Sequence, residues 1–560
     1  MEIFKVENVN FTFAESSKRA LNAVSFTIQQ GSFTVLFGAS GSGKTTLLQL
    51  LKRELTPNGK RDGEIFYKGE LLEDIDAKTL ASEIGFVMQK PDDQIVMDTV
   101  WHELAFGLEN MGLSNAQIRK KIAEMTSYFG MGDWFHKKIS ELSGGQKQLL
   151  NLASILIMQP KVLILDEPTS QLDPIAATEF MQTLHRLHED TGVTIILVEH
   201  RLEDVFQFAS DIMLIENGSI IAQGSPRIIG QIVKKINEHH IMLEALPTAT
   251  RIYYGLSTFT NESPITIREG MEFIGNYKNE IQELPRNIIE QKIDKPILAM
   301  KDCWFRYGRD FPDIVKGVSL KIQKGEIFCI LGGNGAGKTT LLKLLAGQCK
   351  PYKGYVLLHD KKMKKYSMEQ LYKKNIALLP QNPKTLFLQS TIREDYEVTA
   401  KLIGFDKMEA SLQIERVMKM LHIESLMDMH PHSVSGGELQ KIAIGKLLLL
   451  QPKILLLDEP TKGIDVFAKK QLQQLLQQLR AQGMTIIIVT HDMDFAAEIA
   501  DCCGLYFDGE VLAIDVPKSF FAQNNYYTTA ANKIARQLYP NAVTCEDVIE
   551  LCIANGLHKK

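Results

Sequence analysis

Polar and turn-forming residues divide the chain into short segments. Four of these are near-continuous apolar runs: Phe33–Phe37, Val162–Leu165, Ile327–Leu331 and Ile454–Leu457. Runs of this length with no polar face predict strands buried on both sides, as in the middle of a parallel sheet. The first and third lead into glycine-rich turns, and the stretches that follow, Thr45–Leu51 and Thr339–Leu345, read as helices. The longest apolar stretch, around Leu447–Leu457, is interrupted by Gln451, Pro452 and Lys453. It falls short of the roughly 20 residues that span a bilayer, so the chain is expected to span none. The N-terminus, MEIFKVENVNFTF, has charges every few residues and no apolar centre, unlike a signal peptide.

The pattern repeats. GASGSGKTT at Gly38–Thr46 recurs as GGNGAGKTT at Gly332–Thr340, and LSGGQ at Leu142–Gln146 as VSGGE at Val434–Glu438. VLILDEPTSQLD at Val162–Asp173 recurs as ILLLDEPTKGID at Ile454–Asp465, and VEH at Val198–His200 as VTH at Val489–His491. The shift is 294 residues from Lys44 to Lys338, 292 from Asp166 to Asp458 and 291 from His200 to His491. Four motifs in one order at nearly one offset mark a duplicated domain. The expected bodies are residues 1–236 and 296–525. Residues 237–295 connect them and hold Pro247, Pro264 and Pro285, and residues 526–560 form a tail. In the tail, Thr544 and Asp547 suit a helix start, with Val548, Leu551 and Cys552 as its apolar stripe.

Composition adds little but exclusions. A net charge of -4 over 560 residues gives no basic field of the kind nucleic acid or an anionic surface attracts. The seven cysteines lie between Cys303 and Cys552 with no CxxC pair, so neither a zinc ribbon nor a disulfide framework is indicated.

Strand, glycine-rich turn and helix in succession form the context of a phosphate loop. Its residues are Gly38, Ala39, Ser40, Gly41, Ser42, Gly43, Lys44, Thr45 and Thr46 in the first copy. In the second they are Gly332, Gly333, Asn334, Gly335, Ala336, Gly337, Lys338, Thr339 and Thr340. The glycines let backbone N–H groups converge on phosphate oxygens, the lysines reach the outer phosphates, and the Thr45 and Thr339 hydroxyls suit Mg²⁺. A random chain of this length would match the motif roughly 0.02 times. The runs ending in Asp166-Glu167 and Asp458-Glu459 place carboxylates at the carboxyl edge of the sheet, where ligands of open α/β folds bind. Asp166 and Asp458 suit the Mg²⁺ ion directly or through water. Glu167 and Glu459 suit a general base facing an attacking water. These two motifs alone specify only a nucleoside triphosphatase.

With LSGGQ added, the chain resembles the ABC ATPases over nearly all of both halves. The resemblance implies two P-loop α/β domains, each with a mostly parallel sheet, an antiparallel β subdomain and a helical subdomain carrying the signature. It implies that Ser143, Gly144, Gly145 and Gln146 face ATP held by Lys338, while Ser435, Gly436, Gly437 and Glu438 face ATP held by Lys44. Gln89 and Gln381 match the glutamine that senses Mg²⁺, water and the membrane partner. His200 and His491 match the switch histidine, and Phe13 and Tyr307 the aromatic that stacks on adenine. The copies differ in VSGGE against LSGGQ, and in Lys462-Gly463-Ile464-Asp465 against Ser170-Gln171-Leu172-Asp173. No catalytic glutamate, switch histidine or phosphate-loop lysine is lost, so two hydrolysing sites are expected.

Three classes of such proteins separate on sequence. DNA-repair members interrupt the ATPase with coiled coils or zinc modules, whereas here the phosphate loop and carboxylate strand are about 120 residues apart without either. Ribosome-acting members carry a long charged helical linker. Residues 237–295 hold nine acidic and six basic residues, broken by proline and glycine, and suit RNA poorly. The segment KPDDQIVMDTVWHELAFGLEN resembles the ATPases of energy-coupling factor (ECF) importers at Pro91, Asp92, Asp93, Gln94, Ile95, Glu103, Ala105, Phe106, Gly107, Glu109 and Asn110. This implies a peripheral subunit on the cytoplasmic face of the cell membrane, energising vitamin or metal-ion uptake. Its partners would be an integral membrane subunit and a separate solute-binding membrane protein. The segments Gln89–Asn110 and Gln381–Tyr396 are expected to form the docking grooves. A ribosomal ATPase and the motor of another ABC class, exporters included, are the alternatives.

Overall fold

In the computed structural model, residues 1–14, 16–256, 262–275 and 295–555 are described. Pro285, the rest of 276–294 and the end of the tail, 556–560, lie outside them. The chain divides into two compact units, with the break just after Tyr254; the second begins in earnest at Ile267.

In the first unit, β1 (Glu2–Phe13), β2 (Arg19–Gln29), β4 (Gly59–Tyr67) and β5 (Glu70–Leu71) form an antiparallel sheet of order β2-β1-β4-β5. The second sheet runs β10-β9-β3-β8-β7-β6, built from β3 (Phe33–Phe37), β6 (Ile84–Val87), β7 (Val162–Asp166), β8 (Thr194–Val198), β9 (Asp211–Glu216) and β10 (Ser219–Gly224). It is parallel except at its β10 edge. Every residue of β3, β7 and β8 is buried, as the absence of a polar face predicts. Helices Val100–Asn110, Asn115–Tyr128 and Gly144–Leu156 stand between β6 and β7 and carry the signature.

The second unit repeats the plan. Its strands are β11 (Leu298–Phe305), β12 (Val315–Ile322), β13 (Ile327–Leu331), β14 (Lys353–Leu358), β15 (Lys361–Lys362), β16 (Ile376–Leu379), β17 (Ile454–Asp458), β18 (Thr485–Thr490), β19 (Cys502–Phe507) and β20 (Glu510–Asp515). They make sheets of order β12-β11-β14-β15 and β16-β17-β18-β13-β19-β20, the same neighbours as in the first unit. The parallel sheets, antiparallel sheets and helical insertions implied by the sequence are all present.

The stretches after the two ATPase bodies share one plan. Helices Thr248–Leu256 and Ile267–Gly275 follow the first body, and Ala530–Ala535 and Cys545–Ala554 follow the second. In each pair a polar side chain on the first helix ties down the loop to the next. Thr250 Oγ1 donates to the Pro264 carbonyl at 2.7 Å, and Asn532 Nδ2 donates to the Pro540 and Ala542 carbonyls at 2.8 and 2.9 Å. Thr544 and Asp547 cap the last helix reciprocally. Within the second unit, Ile267–Gly275 packs on Ala530–Ala535, and a Cβ at Gly255 would strike Ile549. Among the described residues no helix is long and apolar enough to cross a membrane.

Leu197, wholly buried on β8, packs in the core of the first unit. Leu197→Ala is expected to destabilise the first unit by about 3 kcal/mol, read as an earlier urea transition while the second unit's transition stays in place.

Candidate nucleotide sites

Each phosphate loop is shaped by contacts that leave no room for a side chain. A Cβ on Gly38 would collide with the Ile215 carbonyl, and one on Gly332 with the Tyr506 carbonyl. Gly43 and Gly337 both adopt φ 102°, a conformation L-residues rarely take. Lys44 Nζ donates to the Gly38 and Ala39 carbonyls, both at 2.9 Å, and Lys338 Nζ to those of Gly332 and Gly333 at 2.9 and 3.0 Å. Each lysine is thus folded onto its own loop, buried and ready to exchange carbonyl oxygens for phosphate oxygens.

The carboxylates arrive at the same place from β7 and β17. Glu167 and Glu459, one residue past the strands' final aspartates, hold φ 45° and 49°, outside the regions ordinary side chains favour. Such strain persists where surrounding contacts over-determine it. In the first site they are plain: Gln89 Nε2 donates to Glu167 Oε2 at 2.7 Å, and His200 Nε2 lies 2.7 Å from Glu167 Oε1. In the second, the His491 backbone N–H reaches Glu459 Oε2 at 3.3 Å. His491 Nδ1 sits 2.8 Å from that oxygen without the alignment of a hydrogen bond, and Lys338 Nζ is 3.5 Å from Glu459 Oε1. Burial pushes Glu459 up, but His491 and Lys338 outweigh it and hold the carboxyl below its usual range. Gln381 is exposed, and among the described residues no hydrogen bond joins it to Glu459.

The aspartates fit a divalent cation. Asp166 is buried beside the Thr45 hydroxyl, and its Oδ1 lacks any hydrogen-bond partner among the described residues. Burial, then the neighbouring Glu167 charge, push its pKa up to about 6. Asp458 accepts from Thr339 Oγ1 at 3.1 Å and is raised by burial. An orphaned buried carboxylate oxygen beside a threonine hydroxyl is the donor set Mg²⁺ takes.

Phe13 and Tyr307, at 39% and 57% exposure, stand edge-on to Phe11 and Phe305 at 5.1 Å each. Tyr307 Oη is also 3.2 Å from Thr340 Oγ1. Ser143 and Ser435 cap the signature helices. Gln146 Oε1 accepts the Ser143 N–H at 2.9 Å, and Glu438 Oε2 accepts the Ser435 N–H at 2.9 Å and its hydroxyl at 2.6 Å. The glutamate of VSGGE therefore preserves the cap of LSGGQ. The sequence reading missed Glu199, a buried carboxylate behind His200. The contrast between VEH and VTH was its only signal.

The sequence pattern of the ABC transporter family matches residues 21–170 and 315–462, once over each site. The chain belongs to the ABC transporter family. A putative ABC transporter ATP-binding protein of Bacillus thuringiensis subsp. konkukian is 41% identical over 555 residues, 99% of each chain. The putative HMP/thiamine import ATP-binding protein of Bacillus subtilis is 29% identical over 556 residues, 96% of each. Among solved structures, CbiO1 of Clostridium perfringens, part of the ABC transporter complex CbiONQ, is 32% identical with a TM-score of 0.38, covering 43% of this chain and 96% of that one. This ABC protein is thus a tandem ATP-binding and ATP-hydrolysing subunit of a transporter.

The raised Asp166 pKa has a stability consequence. The folded chain binds this proton more tightly than the unfolded chain, whose value is near 3.8, so the favourable contribution is lost as pH rises through about 6. In metal-free, nucleotide-free buffer, Asp166→Asn is expected to raise the melting temperature by a few degrees at neutral pH. The gain should shrink as the pH is lowered through about 6.

Proposed function

We propose that this ABC protein is the motor of an ECF-type importer for a vitamin or metal ion, bound peripherally at the cytoplasmic face of the membrane. The observation that carries this reading is a pair of apolar tips at matching places in the two units. Val96 and Leu388 are 65% and 85% exposed, each in the loop that follows the sensing glutamine. Both loops are held rigid from beneath. Glu103 accepts the Val96 and Met97 N–H groups at 3.1 and 2.9 Å, and Asp395 accepts those of Leu388 and Gln389 at 3.2 and 3.1 Å. Gln94 bonds Met88, Phe86 and Asn151, locking the PDDQ segment to the signature helix. Fixed loops presenting an exposed apolar residue at the same place in both units suit docking of a membrane subunit's helix. The import named for the Bacillus subtilis relative supports the same direction of transport.

In this reading, residues 1–236 and 296–525 are the two motors, 237–295 the connector and 526–560 a helical tail. Two ATP–Mg²⁺ draw the motors together, each signature facing the other's phosphate loop, and covalent fusion raises the concentration of one for the other. Glu167 and Glu459 orient the attacking water, with His200, His491, Gln89 and Gln381 around the γ-phosphate. The solute is held by a separate small membrane protein.

Two measurements test this. Pull-down of the tagged chain from detergent-solubilised membranes should recover one larger integral subunit and one small membrane protein. Ribosomes, or no membrane partner, would overturn the importer. Glu167→Gln and Glu459→Gln should each lower steady-state ATPase by about half or more; wild-type turnover in either would mark that site as non-catalytic.

A further inference from the structure

The two switch histidines meet their glutamates differently, and the difference traces to one residue. Glu199, at the end of β8, is 2% exposed. Its Oε1 accepts the Thr169 N–H at 3.0 Å and the Thr169 hydroxyl at 2.6 Å, and its Oε2 accepts the His200 N–H at 3.1 Å. Thr169 lies in the turn just after Glu167, and His200 Nε2 is on Glu167 itself. One buried carboxylate therefore closes a ring through the catalytic turn, the switch backbone and the catalytic glutamate. A charge this deep is costly unless it is fully hydrogen-bonded, and the three donors meet that requirement.

The second copy has Thr490 there. Its hydroxyl accepts the Asp492 N–H at 3.0 Å, at the start of the next helix, and does not reach the switch histidine's N–H. That N–H falls instead on Glu459, which also draws the imidazole through Nδ1 rather than Nε2. Where Glu199 takes the backbone N–H, Glu167 meets the side chains of Gln89 and His200, the latter through Nε2. Where it is absent, one oxygen of the catalytic glutamate takes the switch histidine's backbone N–H as well as facing its imidazole.

We propose that Glu199 is a positioning residue of the first ATP site: it holds the backbone of His200 so that Nε2 addresses Glu167, making the two sites unlike in hydrolysis. This rests on the reading of Glu167 and His200 as hydrolytic residues. Glu199 is buried behind His200 and acts through it. Its removal slows turnover and leaves nucleotide affinity in place.

The test is a double-mutant cycle on the full chain, reading steady-state ATPase and the KM for Mg-ATP. Glu199→Thr, the second copy's residue, should lower kcat by about half or more with KM within about two-fold. His200→Ala should also lower kcat, and adding Glu199→Thr to it should change kcat no further. Wild-type kcat in Glu199→Thr, or the same fractional loss repeated on the His200→Ala background, would overturn the proposal. Wild-type kcat in His200→Ala would instead strike down the role given to His200, a separate failure. Should the threonine variant melt early, Glu199→Gln keeps the volume and turns an N–H toward the His200 N–H. A folded glutamine variant should show the same kcat loss, and wild-type kcat there overturns the proposal equally.

Discussion

Setting two carboxylates side by side at the end of a strand buried along its whole length costs free energy, and the rest of each domain is arranged around meeting that cost. Asp166 and Asp458 are raised in pKa by burial. The glutamates beside them sit in backbone conformations at φ 45° and 49° that only dense local bonding sustains. Around Glu167 the bonding comes from the glutamine after β6 and the loop after β8, and around Glu459 from the phosphate loop and the loop after β18. The parallel sheet brings those strand ends to one edge of each domain. An incoming phosphate would exchange with the carbonyls that Lys44 and Lys338 hold, whereas the buried Asp166 Oδ1 has no hydrogen-bond partner among the described residues to give up.

Duplication then let the copies settle that exchange differently. Strand order and lysine contacts are the same in both, and in both a backbone carbonyl leaves no room for a side chain on the first loop glycine, Gly38 or Gly332. The side chains that reach the glutamate are not so constrained. Gln89 reaches Glu167 while Gln381 is exposed, and the imidazoles present different nitrogens. The signature departure, Glu438 for Gln146, is absorbed by the same capping role.

Much of this was legible in the residues. Unbroken apolar runs foretold the buried strands, and the strand–glycine–helix order foretold the loops. Both depend on local pattern. Glu199 was not found, because a buried carboxylate between two functional residues looks like any acidic residue until its donors are seen. Nor did the sequence show what the acidic positions behind the loops after Gln89 and Gln381 do. Glu103 and Asp395 turn inward to hold backbone, and only tertiary packing decides that. The helical pair inside residues 237–295 was masked by its prolines, which sit at helix boundaries: Pro247 just before Thr248 and Pro264 in the loop before Ile267.

The helices before and after the second ATPase body lean on each other, Ile267–Gly275 against Ala530–Ala535 and Gly255 against Ile549. The stretch before that body and the stretch after it are therefore packing partners although far apart in sequence. Fraying of the C-terminal helices strips the earlier helix of its neighbour, so the two stand or fall together.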